Sequence, residues 1–236
     1  MDNLVEDFKH VIQGCSIKED ILELSISFIK YRLEVDSVAI RLQEGYDFPY
    51  YTTLGFSEAF IREENFLCAR SKDKKPILNN NGIPHLECMC GKVIEGKLGT
   101  HLPFCSAIGS AIIQDTSGLI ASGLLKEFDD IRATCNAYGY ETVILVPIRY
   151  KEQGIGLLQI NDRRKNAVAQ EYIPQIETIA SIIGPSLGPI VEKEATRQMQ
   201  KKDIKDNIKN IANELLKSLE EKKEKFTNGH GNKKSK

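Results

Sequence analysis

The chain has 236 residues, a length that fits one domain with an appendage and a core able to bury most of its apolar surface. Its 32 Lys and Arg against 33 Asp and Glu leave a formal net charge of −1, so no overall field draws it onto phosphate backbones or anionic lipid, and nucleic acid is not an implied partner. No run approaches the ~20 apolar residues of a membrane span, and Met1-Asp2-Asn3-Leu4-Val5-Glu6-Asp7 lacks the basic and apolar regions of a signal peptide, so a cytoplasmic protein without a membrane partner is expected, its six cysteines serving as thiols, metal ligands or redox groups rather than as a disulfide framework.

Apolar positions at helical spacing predict helices over residues 3–13 and 17–33, the second opened by Ser16-Ile17-Lys18-Glu19, a capping-box pattern. Ser37-Val38-Ala39-Ile40-Arg41-Leu42 alternates as a half-buried strand should, and Tyr50-Tyr51-Thr52-Thr53-Leu54 is β-prone, with Glu44-Gly45 turning between them. From about Asn65 to Cys135 periodicity is poor, which predicts a long irregular insertion with short helices. Thr142–Ile148 and Gly156–Ile160 are apolar runs around Lys151-Glu152-Gln153-Gly154 and read as a central hairpin.

A helical pattern then runs from Gln170 to about Lys225, with a kink or break expected near Gly184 and Gly188 because Pro185 and Pro189 follow them. Beyond the prolines Ile204, Ile208, Ile211, Leu215 and Leu219 form one apolar stripe on a charged helix, a pattern that suits a parallel pairing with a copy of itself. The expected organisation is an N-terminal helix (1–16), a sensory domain (17–190) with its insertion at 65–135, an amphipathic dimerisation or signalling helix (191–225), and a disordered basic tail (226–236).

Tyr140-Glu141-Thr142-Val143-Ile144-Leu145-Val146-Pro147-Ile148 followed by Ile155-Gly156-Leu157-Leu158-Gln159-Ile160-Asn161-Asp162 resembles the last two strands of GAF domains, over a match of about Asp20 to Ile190. That resemblance implies an α+β fold, a central antiparallel sheet with the terminal helices on one face and the 65–135 insertion on the other. The stretches Tyr46-Asp47-Phe48-Pro49-Tyr50-Tyr51, Leu67-Cys68-Ala69-Arg70, Leu86-Glu87-Cys88-Met89-Cys90-Gly91 and Arg132-Ala133-Thr134-Cys135-Asn136 are similar to a cysteine-bearing subgroup found as input domains of bacterial and archaeal sensor kinases. The resemblance implies a sensory role in which Cys68, Cys88, Cys90 and Cys135 act as a set, holding a metal, an iron–sulfur cluster ahead of zinc. The chain departs from the subgroup at Pro103-Phe104-Cys105-Ser106, where an aromatic-rich segment is usual, and it contains no Trp. No kinase or DNA-binding segment follows the helix, so output to a partner histidine kinase or regulator is the expectation.

Taken on its own spacing, Cys88-x-Cys90 is the sharpest local feature. Helical residues two apart point about 200° apart, so both thiols meet one centre only where the backbone is turned or extended, and Gly91 sets a helix start near Cys90. His85 and His101 flank the pair as further donors, while Cys15 and Cys105 read as non-essential thiols. Asp47, Glu63, Glu64, Asp129 and Asp130 form no acid/base pair, and no nucleophile elbow, zincin motif or phosphate loop occurs. The aromatics Tyr46, Phe48, Tyr50, Tyr51, Phe56 and Phe60 suit either a pocket wall or a core. The alternative function, implied by resemblance to GAF-fold reductases of free methionine-(R)-sulfoxide, gives Cys135 the attack on the sulfoxide and Cys90 or Cys88 the resolving role. A metal-free pocket for a small organic ligand is a third expectation.

Overall fold

Residues 3–229 are described in the computed structural model. In chain order the elements are α1 (Leu4–Ile12), α2 (Lys18–Leu33), β1 (Ser37–Leu42), β2 (Tyr50–Leu54), α3 (Glu58–Glu64), α4 (Cys88–Ile94), β3 (Ala111–Ile113), α5 (Thr116–Ser122), α6 (Thr134–Ala137), β4 (Thr142–Tyr150), β5 (Gln153–Asp162) and α7 (Ile173–Gly229). The chain divides into one compact unit ending at Val191 and a second beginning at Glu192.

The five strands form an antiparallel sheet in the order β2-β1-β5-β4-β3. Strand residues alternate between two cores. On one face Val38, Ile40, Ile144, Val146, Leu158 and Ile160 pack against Phe8, Leu22, Ile29, Ile176, Ile179 and Ile183 of α1, α2 and α7. On the other, Val143, Leu145 and Leu157 pack against Phe60, Leu67, Leu86, Cys90 and Val93, drawn largely from the insertion. Both faces are therefore covered, as the GAF resemblance implies.

Several local expectations change. β1 is not half-buried: all six residues are buried, the polar ones against Tyr140, Phe48 and the end of α3. Ser37 Oγ lies 3.2 Å from Tyr140 Oη, and the Arg41 amino groups donate to three backbone carbonyls. The capping box does not form. Ile17 occupies the N-cap of α2, and the Glu19 carboxylate accepts instead from Tyr51 Oη at 2.6 Å. The hairpin is longer than its apolar runs, since Lys151 and Glu152 both take positive φ, the conformation that joins twisted strands through two residues.

The insertion is more ordered than its sequence suggests. It supplies β3 at the sheet edge and a ribbon of paired segments, with bridges Cys68↔Leu86, Arg70↔Pro76 and Leu78↔Pro84. α7 runs unbroken through Pro185 and Pro189. The glycines before them serve contact rather than flexibility: a Cβ on Gly184 would lie 2.0 Å from Arg149 O, and one on Gly188 2.1 Å from Tyr150 Cγ. Helix and strand β4 approach so closely only because those side chains are absent.

In the second unit Ile204, Ile208, Ile211, Leu215 and Leu219 are each more than half exposed, as one apolar row on a polar helix. The helix continues to Gly229, past the start of the expected disordered tail at 226, and the rest of that tail lies outside the described residues.

Candidate thiol site under helix α4

The insertion's ribbon returns the chain to the sheet at Leu86, and α4 begins two residues later. Gly91 is needed for that tight return, since a Cβ there would meet Leu86 backbone and side-chain atoms at 2.7 Å. Cys88, the first residue of α4, has φ +64°, a left-handed value that costs a non-glycine residue about 1–2 kcal/mol. Its surroundings impose it: the Cys88 N–H donates to Asp130 O at 2.9 Å. The 130–132 segment is strapped to α4 in turn, by Lys92 Nζ to Asp130 Oδ2 at 2.6 Å and by Arg132 Nη2 to Glu87 Oε2 at 3.0 Å and Phe66 O at 2.8 Å.

Although two apart on one helix, Cys88 and Cys90 line the same cavity. Hydrogen bonding by the Cys90 thiol is the largest influence on the acidity of Cys88. It pulls the Cys88 thiol down to about 7 against its burial, helped by backbone N–H groups of Arg132 and Met89. Cys90 is pushed up by the same interaction and then by burial. The helix starts at Cys88 rather than near Cys90.

Cys135 arrives from 45 residues further along, on α6, whose first turn is entered through Ala133 at φ +56°. It lines the same cavity as Cys88 and Cys90, a space of about 60 Å³ under α4, walled mostly by apolar side chains such as Met89, Leu119, Ile131 and Leu145, with Thr116, Thr134 and Asn136 as its polar lining. Behind it, Gln159 Nε2 approaches Cys135 Sγ at 3.8 Å while Tyr50 Oη donates to Gln159 Oε1 at 3.0 Å. Asn161 Nδ2 is buried without a hydrogen-bond partner of good geometry, although the amide beside the Cys135 thiol tends to lower it. Burial dominates and, with the Cys88 charge, pushes the Cys135 thiol up to about 12. One cavity thus holds three thiols of very different acidity.

Cys68 is not among the cavity's lining residues. It pairs with Leu86 in the ribbon, its N–H donates to Asp47 Oδ1 at 2.9 Å, and its Sγ faces Ala69 O at 3.5 Å. His85 meets Asp130 Oδ2 at 3.3 Å and also lies off the lining, as does His101. Among the described residues no group of three or more His, Cys, Asp or Glu is arranged to hold a metal ion. A four-thiolate centre does not fit these side chains as they are placed. Cys15 packs on the terminal-helix core and Cys105 at the edge of the insertion core, both half-buried and off the cavity.

Two roles were invisible in the sequence. Asp47 is an anchor, accepting from Phe48, Leu67 and Cys68 N–H groups at 2.7–2.9 Å and pairing with Arg70. Arg41 is a fully buried cation that binds the carbonyls of Phe48, Glu64 and Asn65 and lies 3.5 Å over the Tyr50 ring, with its Nε unpartnered. Its charge opposes the burial that raises Cys90 and Cys135. Of the aromatics, Phe48 and Phe60 are core, Tyr50 and Phe56 pack against it, Tyr46 and Tyr51 are exposed, and none lines the cavity.

Sheet order, flanking helices and a cavity between the sheet and the insertion define the GAF fold. No family model matches the chain, and no curated protein does. Solved structures do. The GAF domain of a phosphoenolpyruvate-protein phosphotransferase from Coxiella burnetii superposes with a TM-score of 0.53 at 13% identity, over 81% of this chain and 95% of that one. The corresponding domain from Acinetobacter gives 0.51 at 13% identity, over 80% and 95%. The free methionine-(R)-sulfoxide reductase of Staphylococcus aureus, solved with its substrate, gives 0.52 at 16% identity, over 78% and 93%. At such identities the likeness is one of fold, which the phosphotransferase GAF domains and the reductase share. No helix among the described residues is long and apolar enough to cross a membrane.

Proposed function

We propose that this chain is a GAF-type sensory protein whose input site is the cavity under α4, with Cys88, Cys90 and Cys135 as its chemical groups. The meeting of three thiols from two distant segments around one cavity carries the reading. All six cysteines are free, which accords with a reducing cytoplasm. The output is the apolar row from Ile204 to Leu219, paired in parallel with a second copy and read by a histidine kinase or another regulator. The input is thiol chemistry rather than a cluster, because Cys68 is engaged elsewhere.

The test has two parts. Protein purified without oxygen is assayed for metal and visible absorption, and the thiol reading predicts neither in stoichiometric amount. Iron with sulfide, or zinc, that is lost in Cys88→Ala or Cys90→Ala and kept in Cys15→Ala would replace thiol input by a thiolate-ligated metal. Capping the cavity thiols with methyl methanethiosulfonate should then alter hydrogen exchange in residues 192–229, and an unchanged pattern removes the sensory reading.

A second reading is supported by the same thiols together with the fold shared with the S. aureus reductase. A thiol attacks the sulfoxide sulfur, methionine departs, and a second thiol converts the resulting sulfenic acid to a disulfide with release of water. The acidities favour Cys88 over Cys135 as the attacking thiolate, since the Cys135 thiol is held protonated near neutral pH. Turnover of free methionine-(R)-sulfoxide by metal-free protein, abolished by Cys135→Ser, would establish the enzyme with Cys135 in its expected role.

A further inference from the structure

We propose that the cavity under α4 takes a short, uncharged, unsaturated aldehyde, which one of its thiols captures by conjugate addition while Thr134 holds the carbonyl oxygen. The inference rests on the sensory reading above and names the class of molecule that its input site takes. Size sets the first limit. About 60 Å³ is room for roughly four or five waters and less than half of the ~150 Å³ apolar cavity that holds benzene, so the ligand has about three or four heavy atoms. Charge sets the second: no charged side chain lines the cavity, so an ion would shed its water there without a compensating partner. The polar lining narrows the chemistry further. Thr116 Oγ1 donates to Tyr140 O at 2.7 Å, and Asn136 Nδ2 donates to Thr116 Oγ1 and Ser117 Oγ, each at 2.9 Å. Thr134, only 8% exposed, keeps a hydroxyl that no hydrogen bond engages among the described residues. One open O–H donor beside soft thiol nucleophiles in a small, mostly apolar space suits a carbonyl conjugated to a C=C bond.

The ligand has a way in, since Ile120 of α5 both lines the cavity and is 41% exposed, so that wall reaches the surface. In the reaction the thiolate sulfur bonds to the terminal carbon of the C=C bond, and the displaced electron pair moves onto the carbonyl oxygen as an enolate. The Thr134 O–H donates to that oxygen as its negative charge grows, a contact stronger in the transition state than in the bound aldehyde. The proton given up by the thiol is returned at the carbon next to the carbonyl. A saturated aldehyde is left on sulfur, and no oxidant, reductant or cofactor is consumed. Among the three thiols Cys88, held at about 7, presents the most thiolate near neutral pH.

The full chain is reduced, freed of reductant and given an equimolar amount of acrolein at neutral pH, and its peptides are mapped by mass spectrometry after borohydride reduction. An adduct on Cys88, Cys90 or Cys135 is expected about tenfold faster than on Cys15 or Cys105, which lie off the cavity. Cinnamaldehyde carries the same reactive group on a ring too large for the space, and should label the cavity thiols no faster than Cys15. Thr134→Val should slow acrolein capture several-fold and Thr134→Ser should restore it, while both leave the rate of methylthiolation at the same thiols unchanged. Acrolein spread evenly over all thiols, cinnamaldehyde that labels the cavity thiols as fast as acrolein does, or a Thr134→Val rate that matches wild type or falls equally for methylthiolation overturns the proposal. The two readings fail separately. A selective adduct that leaves hydrogen exchange in 192–229 unchanged keeps the aldehyde site and removes the sensor. Exchange that responds to methylthiolation while acrolein spreads evenly keeps the sensor and removes the aldehyde site.

Discussion

Replacing Gly184 by Ala sets two physical effects against each other. On helix propensity alone the change removes a glycine from a helix interior and should stabilise by about 1 kcal/mol. The structure predicts the opposite sign, because the new Cβ would lie 2.0 Å from Arg149 O and 3.0 Å from Arg149 C. The 2.0 Å contact has to open by at least 1.0 Å to reach the 3.0 Å floor of real Cβ contacts. Neither side yields cheaply: Arg149 O is backbone of a strand hydrogen-bonded to β5, and the new Cβ is fixed to the backbone of a helix whose Ile183 is fully buried. Overpacking of this kind costs about 1–3 kcal/mol and can exceed the propensity gain. A unit of this size loses roughly 2–4 °C of Tm per kcal/mol, so thermal unfolding followed by circular dichroism should show a fall of several degrees. A Tm that rises would refute the close approach of α7 to β4 and, with it, the explanation of the Gly-Pro pairs.

Three further outcomes are expected. The Cys88 thiol sits below its unfolded value, so its contribution to stability is present above the ordinary thiol range and lost as pH falls through about 7, and iodoacetamide labelling of Cys88 should show a midpoint there; a midpoint near the ordinary ~8.5 would reject the Cys90 hydrogen bond as its cause. Arg41→Met should destabilise by about 3 kcal/mol or more in urea unfolding, because three carbonyls at the end of α3 and before β2 lose a buried cationic donor, and a loss under about 1 kcal/mol would mean that water replaces it. Ile208→Lys with Leu215→Lys should convert a dimer to a monomer by light scattering, while a wild type that is already monomeric at micromolar concentration removes the pairing.

Periodicity alone determined much of this protein. The apolar spacing of α1, α2 and α7 and the runs flanking Lys151 identify helices and a hairpin because each must bury one face, and burial writes itself into local order. The exposed row from Ile204 to Leu219 is legible for the same reason. Tertiary structure decided the rest. β1 alternates like a half-buried strand, yet Tyr140, Phe48 and the end of α3 meet Ser37 and Arg41 and leave both buried. β3 is three residues long, too short for any pattern, and exists because Ala111–Ile113 finds the free edge of β4. Pro185 and Pro189 read as breaks because a sequence does not display the strand that Gly184 and Gly188 admit.

At the site, the sequence singled out the cysteines but not their grouping. Cys68 and Cys135 stand equally far from the Cys88 pair in kind of evidence, and chain folding alone brings one to the cavity and leaves the other in the ribbon. The turn at Cys88 is a backbone dihedral held by a carbonyl 42 residues away, so it has no local signature. Residue type fixed which atoms can react, and long-range contacts fixed which of them meet, since only the folded chain sets the distances and burial on which thiol chemistry depends.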